Sequence, residues 1–160
     1  SPTPEIPGSN GWNMQWPRIF TWVHLKEKRT QKSIYIYNTH FPLRPQERDL
    51  SAKQISSAIA ERKRKKSPVI LTGDFNACEN EHSMKYLLGE HGSPIAMKDT
   101  FRLIHPNNNA GTFHAFGKTE TCKIDYIYAL GKIRVLDANI INESEPFASD
   151  HLAVTTILQF

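Results

Sequence analysis

The chain has 160 residues, of which 39% are hydrophobic and 22% charged, and its formal net charge is +4. This length and composition are those of one ordinary globular domain and leave too few residues for a second. No apolar run reaches the roughly 18 residues of a membrane-spanning helix, and residues 1–11 are rich in Pro and Gly, so no signal peptide is visible. The mild positive charge favours polyanionic partners.

The first part of the chain predicts a loop followed by a β-hairpin. Residues 1–16 combine Pro and Gly with little periodicity, so we expect a loop. Apolar residues alternate over 18–26, and 33–41 is rich in Ile and Tyr. These two segments predict antiparallel strands joined by a polar turn at 27–32.

The middle of the chain predicts two helices that flank a strand. Ala52, Ile55 and Ile59 recur at helical spacing, which indicates an amphipathic helix over about 46–65. The continuous apolar run at 68–72 suits a strand that is buried on both faces. A second helix is expected over 81–88, ended by a glycine at the next position.

The remainder of the chain is dominated by strand patterns. These lie at 112–116, 122–130, 133–141 and 152–159. No internal repeat, low-complexity segment or linker separates them. The elements together predict the α/β class, with a mixed, mostly antiparallel sheet and two helices on one of its faces.

Two features of the sequence leave alternatives open. The basic run RKRKK at 62–66 is either a solvated helix end, whose cations complement the helix dipole, or a contact patch for a phosphate backbone. Cys78 and Cys122 match no zinc or redox spacing, and we expect them to be reduced thiols.

Polar residues cluster at the ends of four predicted strands, where a rigid scaffold can direct side chains into one site. Phosphodiester hydrolysis needs such side chains, because the phosphoryl oxygens must be neutralised, water activated and the leaving oxyanion stabilised. Carboxylates can bind a metal or act as a base, and histidine can donate to phosphate. The clusters are Asn38-Thr39-His40, Gly73-Asp74-Phe75-Asn76, Ile124-Asp125-Tyr126-Ile127 and Ser149-Asp150-His151.

Each cluster, taken alone, also has a purely structural explanation. Asp74 could stabilise a turn, Asn76 could form an Asx-turn, and His40 could be an ordinary half-buried histidine at a strand end. The last cluster could simply start the final strand. Asp125 lies between apolar strand residues, where a buried carboxylate needs a partner, and a histidine is the expected one.

Together and in order, the clusters resemble the endonuclease/exonuclease/phosphatase family, which includes deoxyribonucleases, apurinic endonucleases, deadenylases, neutral sphingomyelinases and inositol-polyphosphate 5-phosphatases. The segments 3–9 and 17–22 further resemble a bacterial, deadenylase-like branch. These motifs specify the family and not the substrate. The resemblance is carried by NTH at 38–40, PVILTGDFNA at 68–77, TFHAF at 112–116, KIDYI at 123–127 and SDHLAV at 149–154.

The resemblance implies a role for each polar residue of the clusters. His151, oriented by Asp125, would stabilise or protonate at the scissile phosphate. Asp74 would position and deprotonate the attacking water. Asn76 would hold that water or a phosphoryl oxygen, and His40 would donate to a non-bridging phosphate oxygen. Because these five residues and Asp150 all lie at or beside predicted strand ends, all six should converge at one end of the sheet.

A divalent cofactor is also implied by the resemblance. Asp150 would help to bind Mg²⁺ or Mn²⁺, hard cations that prefer oxygen ligands. Asp74 and Asn76 are further candidate ligands. The family's principal metal ligand, a glutamate on an earlier strand, has no counterpart, because residues 1–16 are loop-like and Glu5 lies between prolines. Pro42 also replaces an acidic residue that many relatives carry.

The implied fold is the C-terminal half of a four-layer α/β sandwich, so that residues 1–160 form a single partial domain with a loop at 1–16. We expect a fragment, inactive or weakly active, whose exposed sheet face is covered by the missing N-terminal half or by a second chain. The expected function is metal-dependent, nuclease-like hydrolysis of phosphodiester bonds in a phosphate-ester substrate, with nucleic acid as a candidate. The alternatives are a binding module that has lost catalysis, or a phosphatase or lipid phosphodiesterase of the same family.

Overall fold

The structure, a computed structural model, describes residues 1–12, 14–119, 122–141 and 146–160. The described strands divide between a five-stranded sheet of order β1-β2-β3-β5-β4 and a two-stranded sheet, β6-β7. The elements are β1 Phe20–Lys26, β2 Ser33–His40, α1 Pro45–Glu61, β3 Val69–Asp74, α2 His82–Leu87, β4 Lys98–Asp99, α3 Thr100–Ile104, β5 Asp125–Leu130, β6 Arg134–Ile141 and β7 Ala153–Gln159.

The pairing of the strands confirms the predicted α/β class with a mixed, mostly antiparallel sheet. β2 and β3 run parallel, and the other paired strands in the described ranges are antiparallel. The predicted β1–β2 hairpin is present, and its register pairs Phe20 with Thr39. Among the described residues, the last two strands pair with each other and do not extend the larger sheet.

The core lies between the larger sheet and the helices α1 and α2, which share one face of it as predicted. Val69 and Leu71 of β3 are fully buried on this face, whereas Ile70 on the other face is only half-buried. The expectation that this strand is buried on both faces is therefore met on one face only. The remaining core side chains include Tyr35, Tyr37, Ala52, Ile55, Ile59, Met84, Leu87, Tyr126 and Tyr128.

The basic run follows α1 instead of forming its last turn. The helix ends at Glu61, four residues before the predicted end, and Arg62 takes an extended backbone conformation. The Arg62 guanidinium donates to the carbonyl of Ile59 at 2.8 Å, and Lys65 Nζ donates to the carbonyl of Ala60. Because helix ends leave such carbonyls open, these two cations act as helix-end groups. In the described part of the chain, no helix is both long and apolar enough to cross a membrane.

Two short segments differ from the sequence prediction. The predicted strand at 112–116 is wrong, because only Phe113 forms a bridge, to His151, and Ala115 and Phe116 take positive φ angles of 47° and 56°. The unpredicted α3 starts at an N-cap, where the Asp99 carboxylate accepts from the backbone N–H of Phe101 at 3.0 Å. Asp is among the residues preferred at a helix N-cap, which explains why the helix begins here.

Candidate active site

Three of the predicted site residues are cross-strand neighbours at one end of the larger sheet. Asp74 of β3 pairs with His40 of β2 on one side and with Asp125 of β5 on the other. Neighbouring strands lie about 4.8 Å apart, so paired residues present their side chains together on one face. His40 Nε2 lies 3.4 Å from Asp74 Oδ2. The two aspartate side chains are 17% and 19% exposed, which places both carboxylates in a half-buried niche.

His151, just before β7, completes the group. Its Nδ1 lies 2.9 Å from Asp125 Oδ2, so the contact expected between these two residues is present. The ring packs against that of Phe113, with 5.0 Å between the ring centroids. His151 lies next to the smaller sheet in the chain, but its side chain contacts Asp125 at the end of a strand of the larger sheet.

The buried Thr112 holds both partners of this hydrogen bond. Its Oγ1 accepts from the backbone N–H groups of Ile124 at 2.9 Å and Asp125 at 3.1 Å. Its carbonyl accepts from the backbone N–H of Leu152, next to His151, at 2.7 Å. Thr112 was part of the sequence resemblance, but nothing in the sequence assigned it a role, because these contacts depend on the fold.

Gly73 explains how Asp74 reaches the site. Its φ is +149°, and a Cβ at this position would lie 1.9 Å from the carbonyl oxygen of Thr39 on β2. Only glycine has no Cβ to clash there. The backbone of β3 can therefore lie against β2 directly before Asp74.

Asn76 makes mainly structural contacts. Its backbone N–H donates to Asp74 Oδ1 at 2.8 Å, and its Nδ2 donates to the carbonyl of Phe41 at 2.9 Å. Its φ of 47° is a conformation that asparagine tolerates better than most residues. These contacts fit the Asx-turn interpretation, and the substrate contact of Asn76 stays a prediction.

Asp150 lies beside the group without contributing a ligand atom to it. Its backbone carbonyl accepts from the N–H groups of His114 at 2.9 Å and Ala115 at 3.2 Å. Its charge helps, after that of Asp125 and Asp74, to raise the pKa of His151. The predicted role of Asp150 as a metal ligand stays a prediction.

The surroundings shift the proton affinities of the site residues in different directions. Burial raises the pKa of Asp74, and the neighbouring Asp125 charge adds to the rise. Burial and then the charge of Arg18 lower the pKa of His40. Burial would also lower the pKa of His151, but the hydrogen bond and the charge of Asp125 outweigh it, so this pKa is raised. The site thus places a carboxylate of raised pKa near an imidazole of raised pKa.

The donor set suits a divalent cation. Ligand atoms of Asp74, Asp125 and His151 all lie within 4.8 Å of one another. Two adjacent, half-buried carboxylates repel each other, and a cation between them would relieve that repulsion. One or two protein carboxylates are enough for Mg²⁺, which keeps several of its waters. The residues present therefore fit Mg²⁺ or Mn²⁺, with the carboxylates as the main ligands.

A disulfide links the loop that follows Asp74 of β3 to the segment that precedes Asp125 of β5. Cys78 and Cys122 are bonded, with their Cα atoms 5.6 Å apart and a sequence separation of 44. The prediction of reduced thiols is wrong. Because Asp74 and Asp125 are paired in antiparallel strands, the loop after β3 lies beside the segment before β5. The spacing of the two cysteines in the sequence does not show that these segments are neighbours.

Ion pairs around the buried Lys123 join the same two segments a second time. Lys123 Nζ lies 2.6 Å from Asp99 Oδ2 and 3.2 Å from Glu79 Oε1. Arg102 Nε donates to Glu79 Oε1 at 2.6 Å. Glu79 lies in the loop after Asp74, and Lys123 lies just before Asp125. This network therefore supports both β3 and β5, the strands that carry the two carboxylates. No pattern in the sequence indicated it.

Comparison with known proteins now identifies the family. The model of the Endonuclease/Exonuclease/phosphatase family matches residues 3–151. The chain belongs to the endonuclease/exonuclease/phosphatase family. The predicted family is thus confirmed, while its deadenylase-like branch stays a prediction. Members of this family are hydrolases that include nucleases and phosphatases. No curated protein sequence matches the chain.

Several solved structures of the endonuclease/exonuclease/phosphatase family share the fold. The endonuclease/exonuclease/phosphatase from Bacteroides vulgatus is 29% identical, with a TM-score of 0.80 over 94% of this chain and 59% of that one. A mannosyl-6-phosphatase from Bacteroides thetaiotaomicron is 26% identical, with a TM-score of 0.78 over 95% of this chain and 61% of that one. The human Nocturnin catalytic domain, 21% identical with a TM-score of 0.70 over 89% of this chain and 53% of that one, shares the fold. The chain thus spans about three fifths or less of each of these structures.

Proposed function

We propose that this chain carries the acid–base residues and part of the metal centre of a divalent-metal-dependent phosphodiester hydrolase. The observation that supports this most is the 2.9 Å hydrogen bond between Asp125 and His151 beside Asp74. A carboxylate that fixes an imidazole, next to a second carboxylate of raised pKa, supplies an acid and a base for one reaction.

Each residue has a defined part in the proposed reaction. Asp125 accepts from His151 Nδ1, so Nε2 is the ring nitrogen that can exchange a proton with the leaving oxygen. Asp74 takes a proton from the attacking water. His40, largely exposed beside Asp74, donates to a non-bridging phosphate oxygen.

Asp74 and Asp125 would hold the divalent cation, with Asp150 as a proposed additional ligand. When bound, the cation would neutralise charge on the phosphoryl oxygens and lower the pKa of water. Two carboxylates leave most of the coordination sphere of such an ion to water, so a further protein ligand would strengthen the site. The chain by itself is therefore proposed to be weakly active.

Hydrolysis of a generic diester, bis(4-nitrophenyl) phosphate, tests the proposal. It is measured on the chain and on the longest protein that its reading frame encodes, with and without chelator. His151→Ala should lower kcat/KM by about 10²- to 10⁴-fold, and chelator should abolish activity. His82→Ala is the matched control, because His82 pairs with Asp49 at 3.2 Å outside the site. Equal activity of the two variants would refute the assignment.

A phosphomonoesterase is the second candidate, because the mannosyl-6-phosphatase relative is 26% identical. The same assay with 4-nitrophenyl phosphate separates the two. A kcat/KM for the monoester above that for the diester would favour the phosphatase. Binding of phosphate esters without turnover, in the longest protein as well, would favour a binding module.

A further inference from the structure

The end of the larger sheet that lies opposite the catalytic residues concentrates positive charge. Three segments meet there: the end of β1 with the β1–β2 turn (26–32), the end of α1 with the loop after it (61–67), and the β5–β6 turn with the start of β6 (131–134). Together they hold eleven of the twenty Lys and Arg residues of the chain but only two acidic residues. We call these three segments the basic pole.

The register of the strands places the basic pole at one level of the sheet. Lys26 pairs with Ser33 across the β1–β2 hairpin, and Ser33 Oγ lies 2.7 Å from Ser67 Oγ in the loop after α1. Val69, which follows that loop, pairs with Leu130, which precedes the β5–β6 turn. The catalytic residues lie at the other ends of β2, β3 and β5, and six residues of a strand span about 20 Å. A partner at the basic pole therefore leaves the active site open.

The charge of the basic pole is not neutralised by nearby side chains. Eleven cations and two acids give the pole a charge of +9 and, since the whole chain carries +4, leave −5 to the remaining residues. Arg62 and Lys65 donate to carbonyls at the end of α1. The side chains of Lys63, Arg64 and Lys66 are exposed and, among the residues that the structure describes, form no hydrogen bond or ion pair. So uneven a charge distribution favours an extended anionic partner.

We propose that the basic pole binds the surface of a membrane that contains anionic phospholipids, with the active site facing away from the membrane. Basic residues close to such a surface are each attracted to it. Seven of the eleven cations are lysines, whose flexible point charges suit a diffusely charged surface, whereas the planar fork of arginine suits the recognition of single phosphate groups. Because the three segments end at one level of the sheet, a flat surface can contact all of them together.

Trp22 provides an interfacial contact beside the basic pole. It is 56% exposed, and it lines a cavity of about 340 Å³ together with Arg62 and Lys63. The rings of Tyr35 and Tyr37, which also line this cavity, have their centroids 6.0 Å and 6.2 Å from that of Trp22. Tryptophan favours the boundary between membrane and water, because its ring is apolar and its N–H is polar. An exposed indole next to two cations suits such a boundary.

Co-sedimentation of the chain with vesicles tests the proposal. The vesicles contain phosphatidylcholine with about 30% phosphatidylglycerol, or phosphatidylcholine alone. The chain should bind the anionic vesicles, more weakly as salt increases, and should not bind the neutral ones. The triple change Lys63→Gln, Arg64→Gln and Lys66→Gln should weaken binding by about 100-fold, because each cation contributes about fivefold. It spares Arg62 and Lys65, which bond to the end of the helix.

The matched control removes one Arg and two Lys outside the basic pole. It is the triple change Arg44→Gln, Lys53→Gln and Lys85→Gln, which gives the same net charge as the first variant. Charges farther from the vesicle than the Debye length are screened, so this control should bind to within about twofold of the native chain. Unfolding in denaturant shows whether both variants keep the fold.

A second readout uses the native basic pole. The chain has three tryptophans, so Trp12→Phe and Trp16→Phe leave Trp22 as the only reporter. Its emission should shift to shorter wavelength with anionic vesicles and stay unchanged with neutral ones, because the indole leaves water only when the chain binds.

Four results would overturn the proposal. They are the absence of binding to anionic vesicles at about 0.1 M salt, equal binding to neutral vesicles, equal losses in the two triple variants, and an emission of Trp22 that vesicles do not change. Release of the chain from the vesicles by duplex DNA at equal phosphate concentration would make the pole a nucleic-acid surface instead, and would also reject the proposal. None of these measurements involves turnover, so their outcome is independent of the proposed function.

Discussion

At the scale of single residues, the protonation of His151 depends on the carboxylate of Asp125, 2.9 Å from its Nδ1. We predict that Asp125→Asn lowers the pKa of His151, because the amide lacks the charge that raises this pKa in the native chain. An NMR titration of the His151 imidazole, carried out in the presence of chelator, measures this pKa. Asp49→Asn is the control, since Asp49 pairs with His82 in the same way elsewhere. An unchanged pKa in Asp125→Asn would contradict the assignment.

The hydroxyl of Thr112 sets the position of the same pair. Thr112→Val removes the acceptor of two backbone N–H groups, and each unsatisfied buried group costs about 1–3 kcal/mol. We expect lower stability and a loss of diester hydrolysis of about 10- to 100-fold, as for other groups that orient a catalytic histidine. Thr112→Ser keeps the acceptor oxygen, so this variant should retain both the stability and the diester hydrolysis of the native chain. Unfolding in denaturant and kcat/KM are the measurements. If Thr112→Val had the same stability and kcat/KM as Thr112→Ser, the hydroxyl would not position the Asp125–His151 pair.

At the scale of the elements, the disulfide fixes the loop after β3 to the segment before β5. Chain entropy for a closed loop of 44 residues predicts about 4 kcal/mol of stabilisation. We expect a reductant, or the double change Cys78→Ser and Cys122→Ser, to lower the free energy of unfolding by up to that amount. The reductant should have no further effect on the double variant. Two free thiols titrated in the untreated folded protein would show that the bond is absent.

The ion pairs of Glu79 predict a specific acid sensitivity. Although burial alone would raise the pKa of Glu79, the hydrogen bond from Arg102 and the contacts of Lys123 lower it below its usual 4.5. The folded state therefore binds fewer protons than the unfolded one, so Glu79 stabilises the fold above pH 4.5, and this stabilisation is lost as the pH falls through the lowered value. Glu79→Gln should make the free energy of unfolding depend less on pH in this range below pH 4.5. Glu90→Gln, at an exposed ion pair, should not, and equal profiles would count against the network.

At the scale of the whole molecule, the sequence predicted the helices and strands that depend on residues close to one another in the chain. The β1–β2 hairpin, both larger helices and the strand before Asp74 follow from periodicity and lie close to their predicted positions. The disulfide, the Lys123 ion pairs and the support from Thr112 depend on which strands become neighbours, and spacing in sequence does not encode this. The segment at 112–116 looked like a strand because it is rich in Thr and Phe, but its positive φ angles make it a turn.

The larger sheet keeps an open region on the face away from α1. Val23 and Leu25 of its edge strand are 49% and 50% exposed there. His40 and Asp74 project from this face too, because they alternate with the strand residues that face the helices. The cover of this face, by an N-terminal half or by a second chain, stays a prediction. Whatever covers it would also border the site.

The central claim is that Asp125 and His151 act as one unit in hydrolysing a phosphodiester. A double-mutant cycle tests it most directly, with kcat/KM for bis(4-nitrophenyl) phosphate measured in the longest protein of the reading frame. Asp125→Asn should lose about 10- to 100-fold and His151→Ala about 10²- to 10⁴-fold. The double variant should lose less than the product of the two single losses, because groups that act together are not additive; any loss beyond that of His151→Ala alone would reflect the part of Asp125 in holding the cation. Losses that multiply would mean that the two residues act independently, and would contradict the account.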